Sequence, residues 1–186
     1  MVQLAIPENY GGVLFMTLTL AFFINFVGFG LGGGGRKAAF TPEVLQKFQQ
    51  EHEEAFGKDS KVDKMGYPDN GSSRYSKELS YKQWFNYNVA QRNHQSLLDQ
   101  AIPILVFGLV SGLKYPKVTT YLMAVYMASK IITLFFAGDI AKDAAINPMR
   151  LLGHYLGLCG TLGLGYYAMK SSLQIAEIIG PDSKAS

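Results

Sequence analysis

The sequence predicts an all-α integral membrane protein whose four transmembrane helices form an up-down bundle. Three observations predict it. Only 17% of the residues are charged and 13% are aromatic, against roughly 25% charged in a soluble domain. The charges are also concentrated: residues 36–83 hold nine basic side chains (Arg36, Lys37, Lys47, Lys58, Lys61, Lys64, Arg74, Lys77, Lys82) and eight acidic ones (Glu43, Glu51, Glu53, Glu54, Asp59, Asp63, Asp69, Glu78). The mean hydropathy of +0.09 therefore understates how apolar the remainder is. Outside that loop, long runs with few charges are joined by short connections, which makes consecutive helices antiparallel neighbours. At 186 residues the chain is one membrane domain, 1–186, too short for a large multidomain enzyme. A net charge of +3 with no basic, aromatic-interleaved stripe sets nucleic acid aside as a partner. The lone Cys159 excludes an intrachain disulfide and a zinc site built from several thiolates.

The first span is predicted at about 10–29, inside the charge-free stretch from Tyr10 to Gly35, which exceeds the ~20 residues a spanning helix needs. A signal peptide is the alternative, disfavoured by the length of the run, by Glu8 in place of a basic flank and by the want of a small-residue cleavage site. The glycine run Gly32 to Gly35 is expected to end this helix, before Arg36 and Lys37. In the polar loop 36–83, Thr41 and Pro42 signal a helix start and Gly57 a stop. Val44, Leu45, Phe48, His52, Ala55 and Phe56 recur between them at helical spacing, so a short amphipathic helix is expected at about 42–56. It either folds back on its own bundle or docks on another protein or the membrane surface. Residues 57–80 are turn-rich and expected to be irregular.

The second span, 84–113, needs the polar stretch from Trp84 onward to reach membrane length, which draws Arg92, His94 and Asp99 toward the bilayer. The third, 118–138, carries a single charge, Lys130, and the fourth, 151–169, only His154. Arg36, Lys37, Lys82, Lys142 and Arg150 fall on one face and Lys114, Lys117 and Lys170 on the other. The positive-inside rule then puts the long loop in the cytosol or its equivalent, with both termini opposite.

Residues 86–103 carry the chemistry. On a helix, Asn88, Arg92, Gln95, Ser96 and Asp99 share one face. Lipid does not tolerate such a stripe, so it faces protein or a water-filled cleft. It is either a structural Arg92–Asp99 pair or a functional site. Lys130 needs a buried partner such as Asp99 or must snorkel. Arg150 reads, on its own, as a membrane-boundary residue. His94 and His154 on different helices leave haem as a minor alternative, and no metal site is expected. Gly153, Gly157, Gly160, Gly163 and Gly165 have the spacing of close helix packing, within one subunit or between subunits, and Cys159 among them reads as a packing residue.

The run Arg92-Asn93-His94-Gln95-Ser96-Leu97-Leu98-Asp99 resembles the Arg-Ala-His-Gln-Asn-x-x-Glu signature of the membrane-associated proteins of eicosanoid and glutathione metabolism, the MAPEG family. Glu8-Asn9-Tyr10-Gly11, Arg36-Lys37, Tyr67-Pro68 and Lys114-Tyr115-Pro116-Lys117 make the likeness greatest to its type-3 microsomal glutathione transferase branch. The likeness covers about 8–37 and 64–170; residues 38–63 look like an insertion. It implies a trimer in the endoplasmic reticulum or another organelle membrane, a mitochondrial one included, with glutathione as co-substrate between subunits. It also implies a glutathione-dependent transferase or peroxidase of lipid metabolism that acts on lipophilic electrophiles or lipid hydroperoxides. Carried over position by position, Arg150 would stabilise the glutathione thiolate, while Arg92, Gln95, Ser96, Asp99, Arg36 and Lys130 would bind glutathione. The chain departs from the family at Ser96 (Asn), Asp99 (Glu) and Lys130 (Arg), and has Thr133 and Ala137 where tyrosines contact glutathione. These departures, with the inserted helix, keep open a second reading, a non-catalytic subunit of a larger membrane complex.

Overall fold

The computed structural model describes residues 6–136 and 147–179; Ala137, Asp139, Lys142 and the end of the expected third span lie outside them. The first helical run comprises α1 (Tyr10–Val27), a π-helical stretch Gly28–Gly32 and α2 (Gly33–Ala39). It continues through the glycines that were expected to stop it. In hydrocarbon an unpaired backbone group costs several kcal/mol, more than the ~1 kcal/mol helix penalty of each glycine. The missing side chains also permit close packing. A β-carbon on Gly35 would lie 3.0 Å from that of Ala90, and one on Gly28 only 2.5 Å from Nε2 of His94.

The expected helix 42–56 is two helices, α3 (Pro42–Gln46) and α4 (Gln49–Phe56). The break comes at Lys47 and Phe48. There Phe48 N donates to Leu45 O (3.0 Å), and the Phe48 ring meets Tyr75 at 4.7 Å. Leu45 lies in one small core and Phe48 packs against it. A 3-10 turn, Tyr75–Glu78, precedes α5 (Tyr81–Gly112), α6 (Pro116–Ile131) with its π-helical continuation Ile132–Phe136, and α7 (Pro148–Ile179). No strand occurs among the described residues. Among the described residues three helical runs are long and apolar enough to cross a membrane: Tyr10–Ala39, Tyr81–Gly112 and Pro116–Phe135. α7 has 32 residues, ample length, but glycines, tyrosines and His154 dilute its apolar character.

The chain divides into two compact units. In the unit made of Met1–Phe22 and Gln100–Ser186, parts of all four long helices touch. Tyr10 OH donates to Leu109 O (3.1 Å), Thr119 Oγ1 to Ser111 Oγ (2.9 Å) and Ser171 Oγ to Val110 O (2.8 Å). Along α7 the glycines form a seam against α6. β-carbons there would lie 2.9 Å from Ser129 Oγ (Gly157), 3.2 Å from the Leu122 carbonyl oxygen (Gly160) and 2.9 Å from the Leu122 side chain (Gly163). These glycines pack within the subunit.

The unit Phe23–Asp99 folds the polar loop around a core of Ala39, Phe40, Leu45, Val62 and Tyr87, flanked by Phe48, Tyr75 and Leu79. Gly66 (φ +67) lies flush on the Phe40 ring, where a side chain would overlap it. α3 thus folds back on its own chain through buried Val44 and Leu45, whereas α4 buries no residue. The exposed pairs Lys47–Glu78 and Arg74–Glu51 join α3 and α4 to the 3-10 turn; each is worth about 0–1 kcal/mol.

Candidate functional site

The unit Phe23–Asp99 contains five of the expected site residues, and it uses one of them differently from the other four. Arg36 Nε donates to Met65 O (3.0 Å), Nη2 to Gly66 O (3.1 Å) and Nη1 to the Tyr87 hydroxyl (2.7 Å). Its guanidinium also stacks 5.6 Å from the ring centroids of Phe40 and Tyr87. The planar fork suits two adjacent carbonyls and two ring faces at once. Arg36 therefore fastens the loop to the helices. The Tyr87 hydroxyl in turn accepts from Gln91 Nε2 (2.8 Å) and donates to Asp69 O (2.9 Å).

Asp69, 2% exposed, organises the turn that follows. Its carboxylate accepts from the backbone N–H of Gly71, Ser73 and Ser76 and from the Ser76 hydroxyl. Burial pushes its pKa up, but these hydrogen bonds outweigh burial and hold the carboxyl below the usual range. Nearer the surface, Asp63 is held low by the N–H groups of Tyr67 and Met65.

The polar stripe on α5 begins where this loop ends. Asn88 Nδ2 donates to Gly71 O (3.1 Å) and Trp84 O (2.9 Å), so the loop already occupies the top of the stripe. Below it Arg92, Gln95, Ser96 and Asp99 are all exposed, while Tyr87 and Leu97 on the other side are buried. Gln95 Nε2 donates to Asp99 Oδ1 (2.7 Å). Arg92 has neither ion pair nor hydrogen bond among the described residues. The structure thus joins Gln95 to Asp99 and leaves Arg92 and Ser96 open on the same face. Such a face offers one guanidinium, an amide, a hydroxyl and a carboxylate, which matches a ligand with both carboxylate and ammonium groups.

Lys130 and Arg150 belong to the other unit. The Lys130 ammonium rests 5.1 Å from the Tyr126 ring centroid, a cation–π contact. Tyr126 is itself buried, and its hydroxyl donates to Gln100 Oε1 (3.1 Å). Thr133 is turned back on its own helix, donating to Ser129 O (2.7 Å). Arg150 is exposed in the first turn of α7, whose start is capped by Asn147: Oδ1 accepts the N–H of Met149 (2.9 Å). Asn followed by Pro is a strong sequence signal for that start. The guanidinium at the positive end of the helix dipole makes this a positive spot.

Tyr87, Asp69 and Tyr126 were absent from the expected site. The Pro68-Asp69-Asn70-Gly71 run marked a turn, which hints at Asp69. Nothing in the sequence sets Tyr87 and Tyr126 apart from the other tyrosines.

Long apolar helices, with a charged, exposed stripe on the second of them, define an α-helical integral membrane protein. The MAPEG family model matches residues 13–170, most of the chain, and the protein belongs to that family. No curated protein and no solved structure matches it.

Proposed function

We propose that this protein is a glutathione-dependent transferase or peroxidase acting on lipophilic electrophiles or lipid hydroperoxides, similar to the type-3 microsomal branch of its family. The observation that carries the reading is the open stripe of Arg92, Gln95, Ser96 and Asp99 on a membrane-spanning helix. Lipid cannot cover it, and its mixed charge suits glutathione, which has two carboxylates and one ammonium. Family membership supports the choice of ligand. In this reading the chain crosses the membrane four times, α7 included, and a neighbouring copy in a trimer closes each site. The endoplasmic reticulum or another organelle membrane houses it.

Arg150 has the thiolate role. A thiol of pKa ~8.5 is mostly protonated at neutral pH, and a guanidinium at a helix N-terminus favours the thiolate. The sulfur then bonds to the electrophilic carbon and displaces the leaving group. With a hydroperoxide, two glutathione molecules are oxidised to the disulfide while the peroxide becomes an alcohol and water. Lys130 supplies a further positive charge. Arg36 is left to its structural task. The test is glutathione-dependent reduction of a fatty-acid hydroperoxide by protein in vesicles. Arg150→Ala is expected to lower kcat by about 10²–10³, and an unchanged kcat would remove Arg150 from the mechanism.

The commitment of Arg36 to the loop and of Thr133 to its own helix favours a second reading, a non-catalytic subunit that uses the stripe to pair with another protein. It predicts no glutathione turnover in any variant.

A further inference from the structure

The second long helix opens with three aromatic rings, of which Tyr81 meets the other two. The Tyr81 ring centroid lies 5.9 Å from that of Trp84 and 6.0 Å from that of Phe85. Tyr81 is 75% exposed and Trp84 39%, although a hydrophobic core lies in the same unit. The indole N–H of Trp84 donates to Gly71 O (3.0 Å), so the one polar atom of that ring is already satisfied and its exposed surface is apolar. The charge around the cluster is basic. Lys77 and Lys82 are exposed with no ion pair among the described residues, whereas Glu78 is taken by Lys47 at 2.8 Å.

Helix length sets the depth. α5 has 32 residues, hence a length of about 48 Å, against ~30 Å for bilayer hydrocarbon and ~40–45 Å with both headgroup zones. Just past its far end, Lys114 and Lys117 supply basic side chains. With that end at one headgroup zone, the first turn of α5 reaches the other. Amphipathic rings prefer that zone, and lysines there are drawn to anionic lipid. We propose that Tyr81, Trp84 and Phe85, with Lys77 and Lys82, form a docking surface for anionic phospholipid headgroups that sets the depth of the second span. Arg92 then lies about 12 Å and Asp99 about 22 Å along the helix from Trp84, toward the bilayer interior. This holds whether or not glutathione binds there.

Trp84 is the only tryptophan, so its fluorescence reports on this surface alone. The full-length protein, reconstituted in phosphatidylcholine vesicles containing phosphatidylserine, is titrated with lipid bearing a nitroxide on the headgroup, lipid bearing it near the chain end, and aqueous iodide. The headgroup nitroxide is expected to quench most. Strongest quenching by iodide would place the ring in water, and by the chain-end label in hydrocarbon. Protection from all three would mean that protein covers it. Any of these results overturns the proposal. A second comparison uses headgroup-labelled phosphatidylserine against labelled phosphatidylcholine. A preference of about fivefold per lysine is expected, falling toward unity in the K77E/K82E variant. No preference in the natural protein, or one unchanged in the variant, overturns the basic part of the surface.

Discussion

The Tyr87 hydroxyl ties together three partners that are far apart in sequence, Arg36, Asp69 and Gln91. Tyr87→Phe keeps the ring in the core but leaves a buried carbonyl and two donors short of partners. A loss of about 1–3 kcal/mol in loop stability is expected, read as faster proteolysis within residues 57–80 while the helices stay intact. The same turn responds to acid. Because the native pKa of Asp69 is lowered, its contribution to stability is complete above the usual carboxylate pKa of ~4. It is lost as pH falls through that value toward the lower native one. Hydrogen exchange in residues 69–76 should therefore rise steeply only below about pH 4, and Asp69→Asn should flatten that rise. Arg36 illustrates a limit of sequence reading at this scale. Its charge and position were legible, but two of its partners are the backbone carbonyls of Met65 and Gly66, and a carbonyl leaves no mark in a sequence. The stripe was legible because each of its members is a polar side chain at helical spacing, conspicuous on an apolar helix.

At the scale of elements, the spans announced themselves by length and lack of charge, and their ends did not. Residues 10–39 run on as helix through four consecutive glycines, since propensity measured in water loses to the cost of an unpaired backbone in hydrocarbon. The helix expected at 42–56 breaks at Phe48 because a ring 27 residues further on, Tyr75, offers that side chain a place in the core. Tertiary contacts of that kind are invisible to periodicity. The glycine seam of α7 admitted two readings in sequence, and the close approach of Gly160 to Leu122 and Tyr126 on α6 decides for packing within the subunit. Gly160→Leu must push the two helices apart. Destabilisation of about 1–3 kcal/mol is expected, visible as earlier thermal unfolding in detergent. Substituting the exposed Leu158 by Ala should move the transition much less.

At the scale of the whole molecule, membership in the MAPEG family and three membrane-length helical runs follow from what the chain is made of. The proposed activity rests on the exposed polar groups of the second long helix. Arg92, open on a face that lipid cannot cover, is the residue on which the functional proposal turns. The most direct measurement is glutathione binding by calorimetry on detergent-purified protein, natural and with Arg92→Ala or Arg150→Ala. Saturable binding is expected in the natural protein and lost in Arg92→Ala. In Arg150→Ala binding should persist, but the ultraviolet difference absorbance of the thiolate should disappear. Absence of binding at millimolar glutathione by correctly assembled natural protein would contradict the proposed enzyme and leave the stripe as a contact between subunits.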